Sequence, residues 1–260
     1  MSAVPREVAD ESGRMTIWEH LAELRSRLIK SILAVAVGGV MGWILYPTVL
    51  SLLLGPYRQI KPDAQLFVTD PIELFTVRLQ VSAYIGIAFA MPVILWQLWR
   101  FVTPALYPHE KRYAIPFVAS SLLLFAFGAA LAYWSLTPAL EFLLGLGGDN
   151  VGEIFTQEKY LTLTTYMMLA FGAGFEAPVL LVALQMIGVL KPGQLLRFWR
   201  MAIVIIAIVA AVITPSGDPI TMMALVTPMV LLYFGSIGIG ALFHWRKGRK
   251  QSQVAGAAAP

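Results

Sequence analysis

Long apolar runs alternate with short clusters of charge along this chain. Five stretches, 31 to 57, 79 to 99, 113 to 140, 201 to 217 and 219 to 245, contain no Asp, Glu, Lys or Arg. A sixth, 160 to 190, contains a single such residue, Glu176. A helix needs about 20 mostly apolar residues to cross a membrane. The pattern therefore predicts an all-α polytopic membrane protein with six transmembrane helices and both termini on one side. The fifth run is short. Its apolar residues between Arg200 and Thr214 reach about 24 Å as a helix, less than a hydrocarbon core of about 30 Å, so the bilayer thins there or the flanks snorkel. Gly38 and Gly42 form one G-x-x-x-G, a hint of close helix contact. The spans show no internal repeat.

Local signals lie between the runs. In "TIWEHLAEL", Thr16 and Glu19 fit a capping box, which predicts a helix from near Ile17 that continues unbroken into span one. Leu21, Leu24 and Leu28 share one face of that helix, while Glu23 and Arg27 lie four apart on another. In "TDPIEL", Asp70 reads as an N-cap, Pro71 as the first helical position and Glu73 as a first-turn acid. Pro104 and Pro108 fix a short connection in "FVTPALYPHEKRY", with Glu110 in the first turn after Pro108, where a carboxylate suits the helix dipole. "TPSGDP" is a tight turn that makes spans five and six a hairpin. These boundaries suggest a flexible segment over 1–15, one six-helix domain over 16–245 and a disordered tail over 246–260.

Composition sharpens the class. The chain is 58% hydrophobic and 13% charged, against about 25% charged for a soluble domain. Its net charge of +4 invites a nucleic-acid partner only until the cations are placed. Fifteen of the 19 fall before span one, between spans two and three, between spans four and five, and after span six. Arg58, Lys61, Arg78 and Lys159 are left for the other side. That asymmetry predicts cytoplasmic termini and removes the nucleic-acid reading. The absence of Cys excludes disulfides and thiolate chemistry. The first 30 residues lack the pattern of a cleaved leader, so a prokaryotic cytoplasmic (inner) membrane is the simplest location. No nucleotide loop, nucleophile elbow or metal-ligand spacing occurs. The chain therefore reads as a non-enzyme without metal or cofactor, whose energy source is external.

Three carboxylates could carry function. Glu23 is either a surface partner of Arg27, worth at most about half a kcal/mol, or a ligand for something cationic from outside the chain. Glu110 is either a helix-end acid or a second such ligand. Glu176 lies roughly 20 Å along span four, at bilayer depth, where an unpaired charge is costly. Pro178 frees a backbone carbonyl beside it. It is either internally hydrogen-bonded or a functional group.

Together, "HLAELRSRL" (20–28), "FVTPALYPHEKR" (101–112), "FGAGFEAPV" (171–179) and the "TPSGDP" turn closely resemble the TatC family, receptor subunits of the twin-arginine protein translocase. The resemblance covers roughly residues 15 to 245. It implies that Glu23 and Glu110 recognise the arginine pair of twin-arginine signal peptides, with Arg25 and Phe101 shaping the site. Such a choice is reasonable, because a guanidinium holds a carboxylate in a two-bond fork and an ammonium cannot. It also implies that Glu176, with Gln97 as companion, meets the transmembrane helices of TatA- and TatB-type single-span subunits. Pro56 and Asp218 become structural positions in outside loops that cap a groove. Other copies of the chain and the lipid bilayer are further partners, and the proton-motive force drives folded cargo across. Two rivals remain. A proton- or ion-coupled secondary transporter would use Glu176 as its coupling site, but would be expected to show an internal repeat and paired interrupted helices. A structural assembly protein with no cargo site would tolerate alanine at Glu23 and Glu110.

Overall fold

The computed structural model describes residues 17–62, 66–102, 114–146, 156–214 and 217–257. Its helices are α1 (Ile17–Leu53), α2 (Gly55–Ile60), α3 (Pro71–Val102), α4 (Ala114–Gly145), α5 (Gln157–Gly174), α6 (Ala177–Met186), α7 (Pro192–Arg197), α8 (Trp199–Ile213) and α9 (Pro219–Ala257). Five helical stretches are long and apolar enough to cross a membrane: Trp18–Ile60, Pro71–Phe101, Ala114–Gly145, Gln157–Met186 and Pro219–Phe243. The shorter α8 completes the six-span layout that the apolar pattern predicts. At 15 residues it reaches about 22 Å, as short as expected.

Several boundaries fall where local chemistry places them. Helix α1 runs unbroken from Ile17, the first described residue, through the first span. Asp70 Oδ1 accepts from the Ile72 amide at 2.8 Å, and Pro71 opens α3. Gly217, with φ of +59°, donates its amide to Thr214 O and turns α8 back into α9; glycine adopts that conformation without steric cost. Helix α9 continues to Ala257, into the segment that the sequence suggests is a tail.

The fourth span is two helices. Pro178 lacks an amide, so the helix cannot bond it back to the carbonyl of Gly174. Helix α5 stops at Gly174, Phe175 and Glu176 form a turn, and α6 starts at Ala177. The Glu176 carbonyl accepts from Leu180, so the chain resumes its direction at once.

Helices α1 and α3 pack backbone to backbone. A Cβ on Gly38 would sit 2.5 Å from Gly86 O, one on Gly42 2.5 Å from Ser82 O, and one on Gly86 2.5 Å from Gly39 N. The G-x-x-x-G of span one thus faces α3. In lipid, where apolar surface has no reason to leave its solvent, such close approach supplies the dispersion contact that holds helices together. Beside this pair, Ala132, Leu136, Met167, Phe171, Phe175, Ala210, Leu225 and Met229 form a core that joins α4, α5, α8 and α9.

The end of the bundle formed by α2 and the start of α3 is closed by polar contacts. Tyr160 donates to Leu53 O at 2.6 Å and Tyr133 to Leu52 O at 2.9 Å. These satisfy carbonyls that the end of α1 leaves without helical donors. Glu73 is buried there. One of its oxygens accepts from the Thr69 amide and hydroxyl, both at 2.8 Å, and the other from the Glu158 amide at 3.1 Å. A carboxylate on α3 thereby caps the start of α5, and Phe67 pairs with Thr156 alongside it.

Candidate functional site

The opposite end of the α1–α3 pair holds a different acid, Glu23 on α1. From Trp18 to Lys30 only Glu23 and Arg27 are less than exposed. Leu21, Leu24 and Leu28 point outward, at 50%, 44% and 57% exposure. The leucine face of the helix is therefore its outer face, and the charged pair turns inward against α3. Of the two readings for this segment, the surface pair is only partly solvated: the Glu23 and Arg27 side chains retain 19% and 16% exposure.

Arg27 Nε donates to Glu23 Oε1 at 3.0 Å, and Nη2 donates to the same oxygen. Its Nη1 reaches Gln97 Oε1 on α3 at 3.5 Å. Arg27 thus bridges acceptors on two helices, reaching Gln97 from 70 residues away. The other carboxylate oxygen, Glu23 Oε2, is buried and accepts no hydrogen bond among the described residues; His20 Nδ1 is 4.0 Å from it. One turn before Glu23, the His20 ring stacks on Phe101, with centroids 4.3 Å apart and planes at 19°. That contact ties the start of α1 to the end of α3.

The sequence-derived residues fall as follows. Glu23 and Phe101 lie in this one region. Arg25 is exposed on the outer side of α1. Gln97, grouped with Glu176 on the sequence, has its amide oxygen on Arg27. Glu176 sits at the break between α5 and α6. Its Oε1 is buried without a hydrogen bond, and the buried hydroxyl of Ser121 on α4 is its polar neighbour. Pro56 is buried at the start of α2. Asp218 is buried and caps α9, its Oδ1 accepting from the Thr221 amide at 2.6 Å. Glu110 lies outside the described residues. An open concavity of about 500 Å³ is lined by Glu158, Lys159, Thr162, Leu163, Tyr166 and Val212, a set to which Glu176 does not belong. Among the described residues no three His, Cys, Asp or Glu side chains gather as metal ligands do.

Sequence reasoning did not place Arg27 and His20 in the site. The only available signal was spacing: His20, Glu23 and Arg27 recur at offsets of three and four, which puts them on one stripe of a helix.

Fold and site together define a multi-pass α-helical membrane protein with a half-buried ionic cluster at one end of the bundle. Known proteins narrow the class. The family model for the Sec-independent protein translocase protein TatC matches residues 19–228. The chain is 38% identical over 252 residues to the TatC of Frankia casuarinae, covering 92% of this chain and 69% of that one. With the TatC of Aquifex aeolicus it shares 39% identity over 236 residues, 90% of this chain and 98% of the other. The chloroplastic TATC of Arabidopsis thaliana is 36% identical over 232 residues, 88% of this chain and 67% of that protein. A crystal structure of a twin-arginine translocase receptor, TatC, superposes with a TM-score of 0.73 at 40% identity, covering 86% of this chain and 99% of that one. This chain belongs to the TatC family, the protein-transport components of the Sec-independent translocase.

Proposed function

We propose that this chain is the signal-peptide receptor and core subunit of a twin-arginine translocase. It lies in a prokaryotic cytoplasmic membrane with both termini in the cytoplasm. Glu23 and Glu110 take the two arginines of the signal peptide, and Phe101 and Arg25 shape and attract that segment. Glu176 meets the helices of TatA- and TatB-type subunits, and assembly with them and with further copies moves folded cargo by the proton-motive force.

The observation that carries this reading is the state of Glu23. It is a half-buried carboxylate with one oxygen that accepts no hydrogen bond. A buried acceptor left short of donors is a costly arrangement, and a guanidinium is the group best shaped to complete it. Family membership supports the reading independently. It also favours translocation over the transporter alternative for Glu176. The role of Glu110 rests on its place in the "FVTPALYPHEKR" motif.

Photocross-linking of a twin-arginine signal peptide to the full chain in membranes tests the proposal. Cross-links that vanish in Glu23→Ala and Glu110→Ala, and with a Lys-Lys peptide, support it. Equal cross-linking in all of these would return Glu23 to the role of Arg27's partner.

A further inference from the structure

The Glu23 carboxylate already holds a guanidinium, and it belongs to the chain itself. Arg27 presents Nε and Nη2 to one oxygen of Glu23 and Nη1 to Gln97. From Trp18 to Lys30 it is, with Glu23, the residue turned inward. Taking the receptor reading above as given, we infer that Arg27 is a resident stand-in for cargo. Its guanidinium occupies the seat between Glu23 and Gln97 that a signal-peptide arginine takes, and cargo binding displaces it.

Three features carry this. First, the seat is built from two helices, with acceptors on α1 and α3, so it does more than pair neighbours along one helix. Second, Arg27 fills the seat incompletely. Being tethered four residues from Glu23, it places both of its donors on Oε1 and leaves Oε2 without a hydrogen bond. A guanidinium free of that tether can approach end-on and engage both oxygens in the two-bond fork that arginine favours. Third, the exchange conserves charge. An empty Glu23 would be a half-buried, uncompensated carboxylate, which is strongly unfavourable. Replacing one guanidinium with another never creates that state, and the long Arg27 side chain can swing its head group out to water.

Selectivity comes from the seat itself, because the cost of displacing Arg27 is common to every incoming cation and cancels from the difference between two peptides. Incoming cargo must outcompete a guanidinium that is already present. An arginine can take both carboxylate oxygens in a two-bond fork, whereas a lysine ammonium offers only a point charge. Gln97 belongs to the same seat as the neutral acceptor that holds Nη1, which makes it a specificity residue for the guanidinium.

The test measures binding of a fluorescent twin-arginine signal peptide, and of its Lys-Lys counterpart, to the full-length chain in nanodiscs. Arg27→Gln is expected to bind the Arg-Arg peptide about three- to tenfold more tightly, because the competitor is gone. Its discrimination against the Lys-Lys peptide should stay at the wild-type ratio, because both peptides are relieved of the same competitor. Arg27→Lys should lie between wild type and Arg27→Gln. Glu23→Gln reports separately on the receptor reading. If it loses binding while Arg27→Gln binds as wild type does or more weakly, the stand-in is overturned and the receptor survives. If neither variant changes binding, the receptor reading fails and the stand-in with it. A readout on the unaltered protein guards against misfolded variants. The Arg27 Nε–H resonance in arginine-labelled wild type should move when the Arg-Arg peptide saturates. An unmoved resonance at saturation would overturn displacement.

Discussion

Glu73 and Glu23 are acids at opposite ends of the α1–α3 pair, and their surroundings differ in one respect. Glu73 uses both oxygens on three donors of its own chain, two from Thr69 and one from Glu158. Glu23 uses one oxygen, on Arg27, and the other is buried without a donor. The first is saturated and closes one end of the bundle. The second is unsaturated and open to exchange. Burial alone does not separate a structural acid from an available one; the completeness of its hydrogen bonding does.

The comparison can be broken from either end. The largest effect is expected from Glu23→Ala, with signal-peptide affinity falling about tenfold or more, as suits loss of a charge-assisted acceptor. Thermal unfolding of that variant in detergent should change little by comparison. Glu73→Ala should do the reverse. Its melting temperature drops and the Glu158 amide exchanges faster with deuterium, while peptide affinity stays at the wild-type value. Equal affinity losses in the two variants would show that the ends are not distinct in kind. Gly86→Leu strikes between them, where a Cβ meets backbone at 2.5 Å. Overpacking of this kind typically costs about 1–3 kcal/mol, and stability and peptide affinity should fall together. Tyr160→Phe removes the donor to Leu53 O and should cost about 1 kcal/mol of stability, with no change in binding. Smallest is Arg25→Ala. Arg25 is exposed, so a loss of about twofold in peptide affinity is expected, one that added salt abolishes.

Much of the fold was legible because it is written in local chemistry. Charge-free runs mark the spans, since no ion crosses hydrocarbon cheaply. Asp70 and Pro71 open α3, and Gly217 turns α8 into α9, because caps and left-handed turns each demand particular side chains close in sequence. The division of span four was foreshadowed by Pro178, although its resolution into α5 and α6 around Glu176 required the backbone itself.

The site was legible only in part. Spacing gives the stripe His20, Glu23, Arg27, but not the direction in which the stripe faces. In water, the leucine stripe of Leu21, Leu24 and Leu28 would be buried and the ions would point out. Here the leucines are outward and the ions inward. The hydropathy pattern is the same in both cases, so the choice rests on which helix lies alongside, here α3 with Gln97.

By itself, then, the sequence determined the number and extent of the apolar spans, the cap at Asp70, and the presence of acids at Glu23, Glu73 and Glu176. Tertiary structure alone decided which of those acids are satisfied. Glu73 finds Glu158 across 85 positions, and Arg27 finds Gln97 across 70. The second meeting joins α1 to α3, which close over Gly38, Gly42 and Gly86, whose missing side chains let the backbones touch. Local pattern carries no record of such distant neighbours, because a hydrogen bond is specified by position in space and a sequence specifies only position along the chain.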